Sequence, residues 1–454
     1  MNKDLYIGID IATENVRAVA IDKSGAAHAQ ASAPLAKVIA GDDKRLTQDV
    51  RSWIGAVSKV LSEVGKILTE KQLSAVSLCI SATSGTFVIT NEQGEPIADA
   101  AMYNDGRATS VLGRAEKIIA QANQPGPFLL ANTPEFVISY LSSTPLAQIA
   151  TDSSHSLKIG VDLENISYSP AALSTAQALN IKLPKLELPG SKLATLSKEI
   201  ADQLGLDQIP IYAGMTDGCT AQISAAGANG SVTSLGTTMV IKAVSIKNIS
   251  GPTFYSHLLP RDRYLAGGAS NIGGISYKEF ASDIDNWNQK ATQFGVANMV
   301  CYPLPAIGER FPFLSTQMPK LESNLASGEV ERYRAILEAI AFTEKYAYDL
   351  LEQAGASISS QIFTVGGGGK SNLLSQIRAT VMNKQVVIMA KSGSDIGAAM
   401  LAYASHNAQD NDLAKALSDI NIAQTNHFTP QDDERAELAR NYQSFLELTA
   451  KYKG

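Results

Sequence analysis

Three stretches of this sequence gather carboxylate, hydroxyl and small residues in the way that phosphate chemistry requires. "GIDIATENV" sets Asp10 at the end of an apolar run with Thr13 just beyond it, "AGMTDGCTAQISAAGA" sets Asp217 ahead of a run of small residues, and "VGGGGKSN" strings four glycines before Lys370 and Ser371. A turn rich in small residues and threonine aims several backbone N–H groups and a hydroxyl at one point, which is what a polyphosphate needs. A carboxylate such as Asp10 beside phosphates is repulsive unless a cation lies between them, and Mg²⁺, held through oxygen ligands and water, is the natural cation. The plainer alternative is that Asp10 and Thr13 only cap a hairpin, since Asp and Thr are common turn residues. Asp217 is expected at a helix N-terminus, where the dipole and free N–H groups hold a carboxylate ionised. There it serves either as a structural cap or as a general base toward a sugar hydroxyl.

The Gly-Lys-Ser of "VGGGGKSN" raises the possibility of a P-loop. The pattern G-x-x-x-x-G-K-[ST] needs glycine at position 364, where Thr364 stands, so that reading fails by one residue. The setting, an apolar strand "QIFTV" before the glycines and an amphipathic helix after them, is still that of a backbone cradle for a nucleotide.

The elements that must position these residues follow from hydrophobic periodicity. "LYIGIDIATENVRAVAID" reads as two strands, Leu5 to Asp10 and Val16 to Asp22, joined by a tight turn; a helix from about Leu46 to Leu68 and a buried strand "AVSLCISA" follow. A second strand-turn-strand, "SVTSLGTTMVIKAVSI", begins at Ser231 and carries Gly236-Thr237-Thr238 where the first carries Ala12-Thr13-Glu14. This repetition predicts two related halves, each opening with a hairpin. Further on we expect a helix from about Val330 to Ala354, the strand "QIFTV", a helix from Asn372 to Asn383, the strand "QVVIM", a helix from Ser394 to about Ser405, and a final helix from about Asp432 to Tyr452.

At 454 residues the chain is expected to form two α/β domains, 1–240 and 241–454. A net charge of -6 with scattered lysines and arginines excludes an electrostatic footprint for nucleic acid or a membrane surface. No apolar run reaches the roughly 18 residues needed to span a bilayer, and "MNKDLYIGID" enters a strand at once, so a cytoplasmic protein is expected. Cys79, Cys219 and Cys301 are far apart and odd in number, which fits reduced, buried thiols. The five histidines lack metal-ligand spacing, against a zinc enzyme.

Taken together these stretches resemble the FGGY family of carbohydrate kinases, from Tyr6 to about Ala404. "GIDIATENVRAVAID" resembles the family's first phosphate motif; "AGMTDGCTAQISAAGA" with "TSLGTTMVIK" resembles its catalytic aspartate and second phosphate motif; "VGGGGKSNLLSQIRATVMNKQV" resembles its adenosine motif. "GEPIADAAMYNDGRA" resembles the sugar-side segment, with Asn104, Asp105 and Arg107 matching Asn-Asp-x-Arg, and "YPLPAIGERFPF" resembles a characteristic segment of the second domain.

The resemblance implies two actin-like (ribonuclease H-like) ATPase domains flanking a nucleotide and sugar cleft, with ATP and Mg²⁺ as cofactors. By the same resemblance Asp217 is the base, and Asp10 is the carboxylate that borders the substrate and holds Mg²⁺. Thr13, Gly236 and Thr237 contact the phosphates, and Gly273, Gly367, Gly368 and Ser371 lie on the nucleotide side. Thr83, Ser84 and Asn104 touch the sugar. Ala12 departs from the glycine that most members carry, and its Cβ would push the phosphates back or demand another backbone angle. The implied partners are a small sugar and ATP, in a monomer or homodimer.

"TDSSHSLKIGVDLENISYSP" and "LAGGASNIGG" resemble the D-ribulose kinase-like branch, and Ser84-Gly85 stands where xylulose kinases carry Met-His. D-ribulose is therefore expected ahead of D-xylulose. The rival from another class is a non-catalytic actin-like ATPase that uses the same nucleotide site as a switch.

Overall fold

The computed structural model describes residues 4–260, 263–389, 392–408, 412–420 and 424–453. The opening strand, Asp4–Ile11, is buried at seven of its eight positions, as a strand covered on both faces must be. It pairs antiparallel with Asn15–Ile21 and parallel with Ser74–Ala82. The six-stranded sheet runs in the order Lys192–Thr195, Pro210–Tyr212, Ser74–Ala82, Asp4–Ile11, Asn15–Ile21, Ala27–Pro34. The helix Arg51–Glu70 buries Trp53, Val57, Val60, Leu61, Val64 and Leu68, spaced to form one apolar stripe, in the same core as Ile7 and Ile9. It begins later than Leu46 because Leu46–Gln48 forms a short strand paired with Ala100–Ala101.

A second sheet repeats the plan. Ser231–Leu235 pairs antiparallel with Met239–Ser245 and parallel with Gln361–Val365; Arg263–Ser270 extends the hairpin side and Gln385–Met389 the parallel side. The order hairpin partner, opening strand, parallel strand, parallel strand thus occurs twice, as the repetition of the two hairpins predicts. The helix Glu329–Gln353 covers this sheet with a long buried face that includes Tyr333, Leu337, Ile340 and Leu351. The last helix, Arg435–Leu448, is shorter than expected and ends in a 3-10 turn, Ala450–Tyr452.

The chain divides into two compact units that are not consecutive halves: residues 1–228, 257–261 and 392–422 form one, and residues 229–256, 262–391 and 423–454 the other. This differs from the expected division at residue 240. The physical cause is the helix Ser394–Asn407, which packs against the opening strand and the helix Asp217–Ala226 of the first unit. A Cβ at Gly8 would stand 2.0 Å from the Asp395 carbonyl oxygen, and one at Gly397 would stand 1.8 Å from that of Thr220, so glycine at both positions lets the backbones meet. Cys79, Cys219 and Cys301 are free and buried, as expected. Among the described residues no helix is long and apolar enough to cross a membrane.

Candidate active site

In the first unit, Asp10 lies one residue from the end of the opening strand and is 1% exposed. Its Oδ2 accepts a hydrogen bond from Arg17 Nη2 at 2.5 Å, while its Oδ1 is buried with no hydrogen-bond partner among the described residues. Burial pushes the Asp10 carboxyl up to about 6; Arg17 opposes that shift, and the charges of Asp217 and Asp395 add to it. An orphaned, buried carboxylate oxygen amid other carboxylates is the electrostatic setting a cation would relieve. Among the described residues no three His, Cys, Asp or Glu side chains stand close enough to hold a metal by themselves. Mg²⁺ in such a place would take most of its ligands from phosphate oxygens and water.

The turn that follows carries Ala12 and Thr13. Ala12 N–H donates to the Asn15 carbonyl at 3.0 Å, and Ala12 is not among the residues with positive φ, so the turn closes without the left-handed angle that would require glycine. Gln48, 1% exposed, holds the turn from behind: its Nε2 donates to the Thr13 carbonyl at 2.9 Å and to the Ala36 carbonyl at 2.7 Å, and its Oε1 accepts from Trp53 Nε1 at 2.8 Å. Sequence reasoning did not single out Gln48, because it read this stretch as helix.

Asp217 is the first residue of the helix Asp217–Ala226, with Thr216 at the N-cap position. Its Oδ1 accepts from the Gly218 N–H at 2.6 Å, and its carbonyl accepts from Ser394 Oγ at 3.0 Å. The carboxylate therefore stands in the first turn rather than capping the helix, and it is half-buried. Asp395, in the first turn of Ser394–Asn407, joins Asp10 and Asp217 in one electrostatic group. It also escaped the sequence reading. The signal was there in "SGSDIGAAM", an aspartate before a glycine and a small-residue helix, which echoes "MTDGCTAQ".

The sugar-side expectation falls on one corner of this unit. Thr83 Oγ1 and Thr86 Oγ1 lie 2.8 Å apart, and Thr86 Oγ1 accepts from the Tyr103 N–H at 3.1 Å, so the turn of Thr83 and Ser84 is tied to the segment that carries Asn104. Asn104 itself is exposed. Asp105 is buried and paired with Arg107 at 2.8 Å; the guanidinium and two backbone N–H groups hold its carboxyl low against the opposing effect of burial.

Two cations missed by the sequence reading converge on the same turn. Lys158 Nζ donates to the Ser84 carbonyl at 2.9 Å and lies 5.9 Å from the centre of the Tyr103 ring, and Arg114 Nη2 donates to the Gly85 carbonyl at 3.2 Å. Desolvation and the neighbouring Arg114 lower the Lys158 ammonium, and Asp217 pulls the other way.

In the second unit the hairpin turn is Gly236-Thr237-Thr238, with Gly236 N–H donating to the Thr238 carbonyl at 3.0 Å and Thr237 exposed. Gly273 packs on this turn: a Cβ there would lie 2.7 Å from the Thr238 carbonyl carbon. Gly274 and Ile275 then donate to the carbonyls of Gly236 and Thr237 at 2.8 and 3.1 Å. The loop is anchored by Glu309 of "YPLPAIGERFPF", buried, which accepts from Ser270 Oγ, Asn271 N–H, Tyr302 OH and Arg310 N–H at 2.6 to 2.8 Å. That segment, known at first only by resemblance, thus has a positioning role.

"GGGK" forms a 3-10 turn, Gly367–Lys370, and Ser371 caps the helix Asn372–Met382 by accepting from the Leu374 N–H. Ser371 Oγ also donates to Asn288 Oδ1 at 3.2 Å. The glycines divide in role. A Cβ at Gly368 would meet Leu235 at 2.3 Å, whereas one at Gly367 would meet nothing within 4 Å among the described residues. Lys370 is exposed. We expect Lys370→Ala to change kcat by no more than about twofold, the small effect usual for an exposed residue outside the site. Gly367→Val should raise the KM for ATP by placing a branched side chain in that open space. Steady-state kinetics at saturating acceptor checks both, and a collapse of kcat in Lys370→Ala would restore the P-loop reading.

Residues 5–126 match the N-terminal domain of the FGGY family of carbohydrate kinases, and residues 215–406 match its C-terminal domain. The chain is 23% identical to a xylulose kinase of Staphylococcus epidermidis over 442 residues, 88% of each protein. It is also 23% identical to the xylulose kinase of Escherichia coli, over 98% of this chain and all of that one. Among solved structures, the xylulose kinase of Rhodospirillum rubrum superposes with a TM-score of 0.86 at 20% identity, covering 98% of both chains. These folds are of the actin-like, ribonuclease H-like class.

Proposed function

Because the chain belongs to the FGGY family of carbohydrate kinases and is an ATP-dependent sugar kinase, we propose that it transfers the γ-phosphoryl group of ATP to the terminal hydroxyl of a ketopentose, with D-xylulose ahead of D-ribulose. The observation that carries this reading is that near-full-length relatives bear the name xylulose kinase. It reverses the order expected from the sequence. Ser84-Gly85, in place of the Met-His pair, is the particular feature that keeps D-ribulose as the second reading.

In this reading Asp217 accepts the proton of the attacking hydroxyl. The turn at Thr83 and Ser84, with Asn104 and Lys158, orients the sugar. The turns at Thr13 and at Gly236-Thr237 offer N–H groups and hydroxyls to the phosphates, while Gly273, Gly367, Gly368 and Ser371 border adenosine. Mg²⁺ held at Asp10 Oδ1 would offset charge on the phosphoryl oxygens. Little covalent chemistry is asked of the protein, so positioning and electrostatics supply the rate.

The test is a coupled ADP-release screen over ketopentoses, pentitols, hexuloses and glycerol. We expect kcat/KM for D-xylulose to exceed that for D-ribulose by about tenfold or more, because a site that hydrogen-bonds one hydroxyl epimer leaves polar groups unpaired with the other. A higher value for D-ribulose would reinstate the second reading. ATP turnover that does not rise with any sugar would favour the non-catalytic switch.

A further inference from the structure

Beneath the start of the Asp217 helix lies a run in which every residue is buried, Thr151-Asp152-Ser153-Ser154-His155-Ser156, with none more than 2% exposed. Burying charge is costly unless it is paired, and here Asp152 Oδ2 meets His155 Nδ1 directly. Asp152 Oδ1 accepts from the Ser154 N–H at 2.8 Å, the Ser154 hydroxyl at 2.5 Å and the His155 N–H at 3.2 Å. The Ser154 oxygen in turn accepts from the Thr216 N–H at 3.0 Å. Thr216 is the N-cap of the helix that Asp217 begins, and its carbonyl accepts from the Cys219 and Thr220 N–H groups at 2.8 and 3.0 Å.

We propose that the His155–Asp152 ion pair is a positioning device for Asp217, acting through Ser154; the proposal rests on the reading of Asp217 as the base. An ionised carboxylate only accepts hydrogen bonds, so the Ser154 hydroxyl must spend its one proton on Asp152. Its lone pairs are thereby committed to the Thr216 N–H, one residue from the base. His155 keeps Asp152 in that acceptor state. Burial alone would raise the Asp152 carboxyl, and the neighbouring imidazolium reverses the direction; burial would lower the imidazole, and Asp152, Glu135 and Asp217 together reverse that.

Glu135 is itself occupied, accepting from the Asn132 N–H at 2.6 Å to cap the helix Thr133–Ser142. Asn132 Nδ2 lies 3.3 Å from Thr151 Oγ1 and from Ser156 Oγ, which ties the run in place from the other side. His155 Nε2 is buried and has no hydrogen-bond partner among the described residues. Among the described residues the ring is thus held by charge and by one hydrogen bond, to Asp152, a costly arrangement for a purely structural residue.

The test uses the 454-residue chain with Ser154→Ala and His155→Asn. Ångström-scale misplacement of a catalytic group costs up to about 100-fold, so both variants are expected to lose about 10- to 100-fold in kcat. The KM for ATP and the rise in melting temperature on adding ADP should stay within about twofold of wild type, because the residues read as the adenosine side, Gly273, Gly367, Gly368 and Ser371, belong to the other unit. A merely structural role would lower nucleotide affinity and kcat together. Ser154→Ala removes one oxygen, and it decides the question alone if His155→Asn does not fold. A kcat for Ser154→Ala within about twofold of wild type, or an equal loss in nucleotide affinity, overturns the proposal. If Asp217→Asn remains active, the base assignment fails first; if Asp217→Asn is inactive and Ser154→Ala is normal, only the positioning role fails.

Discussion

Asp217→Asn is expected to lower kcat about 10²- to 10⁴-fold, the usual worth of a general base, while ADP binding persists. The amide keeps the size of the side chain and can still accept from the Gly218 N–H, the contact that Asp217 Oδ1 makes at 2.6 Å. The Ser394 bond to the Asp217 carbonyl is a backbone contact and is retained. What the amide lacks is the capacity to take a proton from the sugar hydroxyl. Single-turnover phosphoryl transfer with nucleotide affinity measured in parallel checks this, and activity within a few-fold of wild type would remove Asp217 from the role of base.

Asp10→Asn should have the next largest effect. A cation at the transferring phosphoryl group is worth several kcal/mol of transition-state stabilisation, so a loss of about 10²- to 10³-fold in kcat is expected. The substitution also leaves Arg17 without the carboxylate it meets at 2.5 Å. The pH dependence carries a sign that can be worked out. The Asp10 carboxyl is pushed up to about 6, chiefly by burial. Without a cation, the folded protein then holds this proton more tightly than the unfolded chain does. The stability this group contributes is present at low pH and is lost as pH rises through about 6.

A divalent cation needs the ionised form, so its binding is expected to weaken as pH falls below about 6. The rise in melting temperature on adding Mg²⁺ and ADP should accordingly be larger at pH 7.5 than at pH 5 in the wild type, with that pH dependence lost in Asp10→Asn. An equal response in both proteins at both pH values would rule out Asp10 as the cation's ligand.

The candidate aspartates Asp10 and Asp217 could be singled out because each stands at a junction that local sequence marks plainly. Asp10 stands next to the end of an apolar strand, and Asp217 opens a small-residue helix after Gly214. Asp395 was harder to see. Nothing in "SGSDIGAAM" says that its helix returns to the first unit, since that depends on two glycines, Gly8 and Gly397, meeting backbones far away in sequence. Gln48 was hidden for a related reason: the strand Leu46–Gln48 depends on pairing with Ile39–Ala40 on one side and Ala100–Ala101 on the other.

The order of hairpins, the two-fold repetition, the glycine-rich turn that is not a P-loop and the family itself are properties of the sequence, because each rests on local periodicity and turn chemistry over short spans. The assignment of the helix Ser394–Asn407 to the first unit, the grouping of Asp10, Asp217 and Asp395, the convergence of Lys158 and Arg114 on the Ser84 turn, and the buried pair behind Thr216 were decided only by the tertiary structure. Each joins residues tens to hundreds of positions apart. Burial and charge act through space, so a carboxylate's protonation, or the orientation of a hydroxyl such as that of Ser154, is set by neighbours that chain order does not reveal.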